Sequence, residues 1–175
     1  MALVSRRHST RSYRPDPVPQ EKIERCLEAA RLAPSACNSQ PWHFIVITSL
    51  EQRARVAAAA FNGIHAVFKF AGTAPVLIAL LARRSSYAAA LAGLLRNVRY
   101  NLIDLGIAGE HLVLQAAAEG LGTCWIGWFN ERGVRRALDL PRGSRVELLI
   151  SMGYPASDQL PPKSRKPLDE IREYR

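Results

Sequence analysis

The sequence predicts an α+β layered domain. Four short runs rich in β-branched and aliphatic residues have the look of buried strands, and segments with helical periodicity separate them. One of those helical segments is long, alanine-rich and apolar on most faces, as expected of an element inside the structure. The chain has 175 residues, so one domain spanning residues 1–175 is the expectation. A chain of this size can bury roughly two-thirds of the surface its unfolded form exposes, enough for a substantial core.

The elements follow in order. Pro15-Asp16-Pro17-Val18-Pro19 is an extended connector, and Pro19 can open a helix although it could not sit inside one. Ile23, Cys26, Leu27 and Ala30 recur at helical spacing, and this helix should stop before Pro34. His43 to Thr48 is a strand. Ser49 followed by Gln52 forms a capping box for a helix running to about Ala60. Pro75 to Leu81 is the second strand, and Tyr100 to Glu119 is the long apolar helix, ended by Gly120. Thr123 to Phe129 is the third strand. Asn130 caps a short helix that ends before Pro141, and Val146 to Met152 is the fourth strand. The tail from Pro161 is basic and polar. This pattern leaves the order of the strands in the sheet open.

Composition narrows the function. The net charge of +9 calls for an anionic partner. The arginines are scattered along helices, with no helix-turn-helix, zinc-finger or RNA-recognition signature, so an anionic cofactor is favoured over specific nucleic-acid binding. The longest apolar run, Ala74 to Ala82, is about half of the roughly 18 residues that suggest a membrane span. The opening Met1 to Arg7 lacks the layout of a signal peptide, so a cytoplasmic protein without membrane association is expected. Cys26, Cys37 and Cys124 are odd in number and widely spaced, which fits reduced thiols and no metal site.

Several chemistries are excluded. Gly120-Leu121-Gly122 begins like a dinucleotide fingerprint, but Trp125 replaces the third glycine and the motif precedes a strand where the fingerprint must follow one. There is no phosphate-binding P-loop and no Gly-x-Ser-x-Gly elbow. Cys37 and His43 lie six positions apart, which is weak support for a thiol nucleophile.

Three segments could carry a site. Arg7-His8-Ser9-Thr10-Arg11 packs two guanidinium groups, an imidazole and two hydroxyls into five residues near a helix start, a donor set suited to phosphate oxygens. Its plainer reading is a solvated N-terminal helix. Pro34 to Trp42 is a proline-bounded polar loop that leads into a strand; it is either a binding loop or a connector, with Trp42 a core anchor under both readings. Lys163-Ser164-Arg165-Lys166 follows a proline pair and on composition alone is a basic tail.

Taken together, these segments resemble the nitroreductase family. Arg7 to Arg11 looks like the family's opening motif. Pro34-Ser35 and Asn38-Ser39-Gln40-Pro41-Trp42 are similar to its signature loop, and Asp104 to Gly127 resembles its central helix and following strand. Met152-Gly153-Tyr154-Pro155 and Lys163 to Leu168 look like its C-terminal signature. The resemblance spans nearly the whole chain, in the same order. It implies a nitroreductase-like fold: a mixed, mostly antiparallel sheet flanked by helices, with the central apolar helix at a homodimer interface. It also implies FMN as cofactor, NADH or NADPH as hydride donor, and ping-pong transfer through flavin N5 to a small organic acceptor such as a nitroaromatic or quinone. Arg7, His8, Ser9 and Arg11 would bind the phosphate and ribityl side, and Lys163 and Arg165 would complete the phosphate clamp. Pro34, Ser35 and Ala36 would lie along the isoalloxazine of the partner subunit's flavin, with Asn38 shaping the loop. The backbone at Ile126 and Gly127 would approach N5. Asn62 is the nearest candidate for a further flavin contact. The stretch between Ala82 and Tyr100, which includes Tyr87, looks abbreviated and often builds the substrate lid. The alternatives are a flavin-binding sensor or storage protein without turnover, and a specialised enzyme of the same fold, performing reductive dehalogenation or flavin fragmentation.

Overall fold

A computed structural model describes residues 2–83, 93–95, 97–157, 159 and 162–175. The named elements are α1 (Ala2–Arg6), α2 (Gln20–Arg31), β1 (Trp42–Ile47), α3 (Leu50–Ala60), β2 (Val76–Ala82), α4 (Tyr100–Ala118), β3 (Gly122–Ile126), α5 (Glu131–Ala137) and β4 (Val146–Gly153). The strands pair antiparallel in the order β1-β2-β4-β3. The mixed character comes from the N-terminal segment, where Ser9 bridges Thr123 in parallel on the outer edge of β3.

The two faces of the sheet alternate residue by residue, as strand geometry requires. Val76, Ile78, Leu80, Ile150 and Met152 pack against α2 and α4. Leu77, Ala79 and Leu149 pack against α3 and α5 on the opposite face. Both faces of β2 are therefore covered, which explains its continuous apolar run. The long helix α4 buries Leu105, Ala108, Gly109, Leu112, Val113 and Ala116. Gly109 lets it approach the sheet: a Cβ there would overlap the Trp125 indole.

The caps sit where the sequence placed them. The Ser49 hydroxyl accepts from Gln52 N–H at 3.5 Å, and Asn130 Oδ1 accepts from Gly133 N–H at 3.0 Å. Gly120 closes α4 with φ +76°, a conformation that favours glycine.

Two elements differ from expectation. The third strand ends at Ile126 rather than at Phe129, because Trp128 turns out of the ladder to pack edge-on against His65 and Phe68. A 3-10 segment, Gly63–Thr73, fills the path from α3 to β2, where no element was expected. The expected abbreviated lid falls largely outside the described residues, Tyr87 included. No described helix is long and apolar enough to cross a membrane.

Candidate functional site

The Arg7 to Arg11 segment leaves the end of α1 and runs as extended chain along the edge of β3. Its register is fixed by a Thr10 N–H bond to the Thr123 carbonyl at 2.9 Å. The motif thus follows a helix end, where the sequence suggested a helix start. Extended backbone sends alternate side chains to opposite sides. The Thr10 side chain packs against Gly122, where a Cβ would collide with it. His8 is engaged on that side too: its Nδ1 lies 3.2 Å from the Arg6 carbonyl, and its Nε2 lies 3.3 Å from the Thr10 hydroxyl.

Ser9 and Arg11 turn toward Cys124 on β3. Burial pushes this thiol upward in pKa; the Arg11 charge, a Ser9 hydrogen bond and the Arg7 charge pull the other way. Just beyond, the buried Tyr13 hydroxyl donates to the Thr10 carbonyl at 2.8 Å and lies 2.7 Å from the Ser151 hydroxyl. Burial also raises its pKa well above the ordinary tyrosine value. Tyr13 therefore stays neutral and fixes the chain where it leaves the motif.

The C-terminal tail comes back to the same place. Lys163 Nζ donates to the Val4 carbonyl at 2.5 Å, across 159 positions of sequence. Partial desolvation, together with the like charges of Arg7 and Arg165, holds the Lys163 ammonium below the ordinary lysine value, while Glu110 acts in the opposite direction. Arg7 lies 3.8 Å from Glu110 on α4, and Glu110 accepts from the Trp125 indole N–H at 3.3 Å. Two hollows of about 280 and 270 Å³ flank the segment and share His8, Pro155 and Ser157 in their walls. Arg7 lines the first hollow and Arg11 the second, whereas Lys163 and Arg165 line neither; the arginines give both hollows a basic wall that suits an anionic group.

The second predicted site segment, Pro34 to Gln40, is an irregular loop with a single 3-10 turn at Ala36–Asn38. Cys37, Asn38 and Gln40 have φ of 51°, 50° and 43°, left-handed values that cost Cys37 and Gln40 roughly 1–2 kcal/mol each and Asn38 less. The buried Asp104 carboxylate accepts from Ala36 N–H at 3.0 Å and from the Ser39 hydroxyl at 3.4 Å. The Ser35 hydroxyl accepts from Gln40 N–H at 2.9 Å. Ser35 and Ala36 are half-buried, whereas Pro34 and Asn38 are exposed.

Ile126 is buried at the end of β3, and Gly127 is exposed just after it. Asn62 donates to the Ala58 and Ala59 carbonyls, both at 3.1 Å, and so caps α3. Asp104 and Glu110 escaped the sequence reading as individual residues, because each is a lone acid on an apolar helix whose partners are distant in sequence. Among the described residues, no group of three His, Cys, Asp or Glu side chains could hold a metal ion.

The Nitroreductase family model matches residues 4–67 and 67–154, which takes in the opening motif, the Pro34 loop and all four strands. The chain belongs to the nitroreductase family. It is accordingly an oxidoreductase by family. An NADH dehydrogenase of Thermus thermophilus is 30% identical over 192 aligned positions, covering 95% of this chain and 91% of that protein. A 5,6-dimethylbenzimidazole synthase of Rhodospirillum rubrum is 29% identical, covering 98% of this chain and 92% of its own. Among solved structures, a nitroreductase-type protein of Exiguobacterium sibiricum in complex with FMN superposes with a TM-score of 0.82. It is 26% identical and covers 100% of this chain and 96% of its own. The layered α+β fold expected from the sequence is thus the family fold.

Proposed function

We propose that the protein binds FMN and passes hydride from NADH or NADPH to a small organic acceptor, working as a homodimer. The observation that carries this reading is the meeting of the two chain ends, where Lys163 Nζ reaches the Val4 carbonyl at 2.5 Å, three residues before Arg7, and lies within the field of the Arg7 and Arg165 charges. That donor set fits a flavin phosphate. Arg7 and Arg165 offer forked donors for phosphate oxygens, and Lys163 adds a compact charge. Ser9 and Arg11, on the same edge of β3, extend the donors toward the ribityl chain. His8 lines both hollows, so it closes the site from behind while its ring holds Thr10.

Bound FMN would supply the hydride-accepting and hydride-donating centre at N5. The chain's own task is to bind, orient and shield. We assign the backbone of Ile126 and Gly127 to the ring, because β3 ends there, beyond the bridge that pairs Ser9 with Thr123. We assign Pro34, Ser35, Ala36 and Asn38 to the ring of the partner subunit's flavin. We take the homodimer from the family resemblance; the half-exposed Ile103 on α4 is an apolar side chain that a partner subunit would cover.

Anaerobic mixing of the FMN-loaded protein with NADH or NADPH separates the enzyme from a flavin store without turnover. Rapid bleaching of the flavin band, reversed by a nitroaromatic or quinone, is the expected result. A flavin that stays oxidised under both donors would overturn the catalytic reading and leave the storage reading in place.

A further inference from the structure

We infer that Asp104 is a positioning residue for the flavin, acting through the loop that it anchors. The inference rests on the FMN reading above and deepens it. Asp104 sits in the first turns of α4, next to the core residue Leu105, and is only 3% exposed. A carboxylate at such a position is unfavourable unless its oxygens are bonded. Both oxygens are bonded, and both bonds go to the loop assigned to the ring: Oδ1 takes Ala36 N–H and Oδ2 takes the Ser39 hydroxyl.

These two contacts bracket the strained part of the loop. Cys37 and Asn38 lie between them, both left-handed, and Gln40 follows in the same conformation. None of the three is glycine, so released chain would relax toward ordinary backbone regions. The Gln40 N–H to Ser35 Oγ bond ties Ser35 to the last of these residues, so a shift of the strained stretch would move Ser35 and Ala36 with it. Strain held by surrounding structure is a frequent mark of a pre-organised site. Asp104 therefore sets the ring-facing loop from the central helix, at a distance from the phosphate clamp.

The test compares wild type with Asp104→Asn, Asp104→Ala and Ser39→Ala. Three quantities are read: amide exchange of residues 35–40 without ligand, FMN affinity by fluorescence quenching, and the visible circular dichroism of bound FMN. Asp104→Ala should speed exchange in the loop and weaken FMN about tenfold or more, with a changed dichroic band, since a charge-assisted hydrogen bond is lost. Asp104→Asn keeps one acceptor and should fall between. If Asp104→Ala does not fold, Asp104→Asn combined with Ser39→Ala decides. Unchanged affinity and an unchanged band in folded variants, with wild type binding FMN normally, would overturn the inference and leave the flavin reading standing. A folded wild type that binds no FMN would overturn the flavin reading first, and this inference with it.

Discussion

Arg25 and Glu119 illustrate what one pair of side chains contributes in this molecule. The guanidinium donates to both carboxylate oxygens, at 2.7 and 2.9 Å. The hydrogen bonds from Arg25, with help from Gln115 and the charge of Lys22, hold Glu119 at about 2, well below the ordinary 4.5. A carboxyl depressed on folding stabilises above its unfolded pKa and loses that contribution as pH falls through the folded one. The Tm deficit of Arg25→Ala should therefore be present at neutral pH and shrink steadily from about pH 4.5 toward pH 2; a deficit independent of pH would contradict the assignment. At this scale the sequence was legible wherever the physics is local. Ser49, Asn130 and Gly120 perform the capping roles their residue types imply. Asn130→Ala should cost about 1 kcal/mol in a thermal melt, and no loss would discount the cap. Asp104 and Glu110 were not legible, because their partners lie tens of positions away and an isolated acid on an apolar helix carries no motif.

At the scale of elements, periodicity located all four strands and the helices between them, and it failed where tertiary packing takes over. β3 stops short because Trp128 finds His65 and Phe68 rather than a ladder partner. The helical segment Gly63–Thr73 was missed even though Ile64, Val67, Phe68 and Ala71 recur at helical spacing. The packing of α4 on β3 gives a direct test. Gly109→Ala places a methyl into the Trp125 indole, so the indole must shift or the helix and strand must separate. Overpacking of this kind should cost about 1–3 kcal/mol and alter tryptophan fluorescence. It should also disturb the Glu110 contact that Trp125 and Arg7 share. A melt and an emission spectrum unchanged from wild type would show that the helix yields without effect.

On the scale of the whole molecule, fold class could be read from the alternation of strand and helix, while strand order could not, since pairings such as β2 with β4 join distant segments. The site divided in the same way. The basic head and the basic tail were visible as compositions, yet only folding brings Lys163 to the Val4 carbonyl and into the field of the Arg7 charge. If two copies complete each site, sedimentation should find a dimer that persists at low micromolar concentration; a monomer carrying tightly bound FMN would contradict the shared-loop assignment. The central claim, a phosphate clamp built from both chain ends, is tested most directly by comparing the affinities of FMN and riboflavin in wild type and in the Arg7→Ala, Arg165→Ala double variant. Each charge-assisted hydrogen bond should contribute roughly 1.5–3 kcal/mol, so wild type should prefer FMN by about a hundredfold or more and the double variant should lose most of that preference. A folded wild type that binds both flavins equally, or a double variant that keeps the full preference, would contradict the clamp.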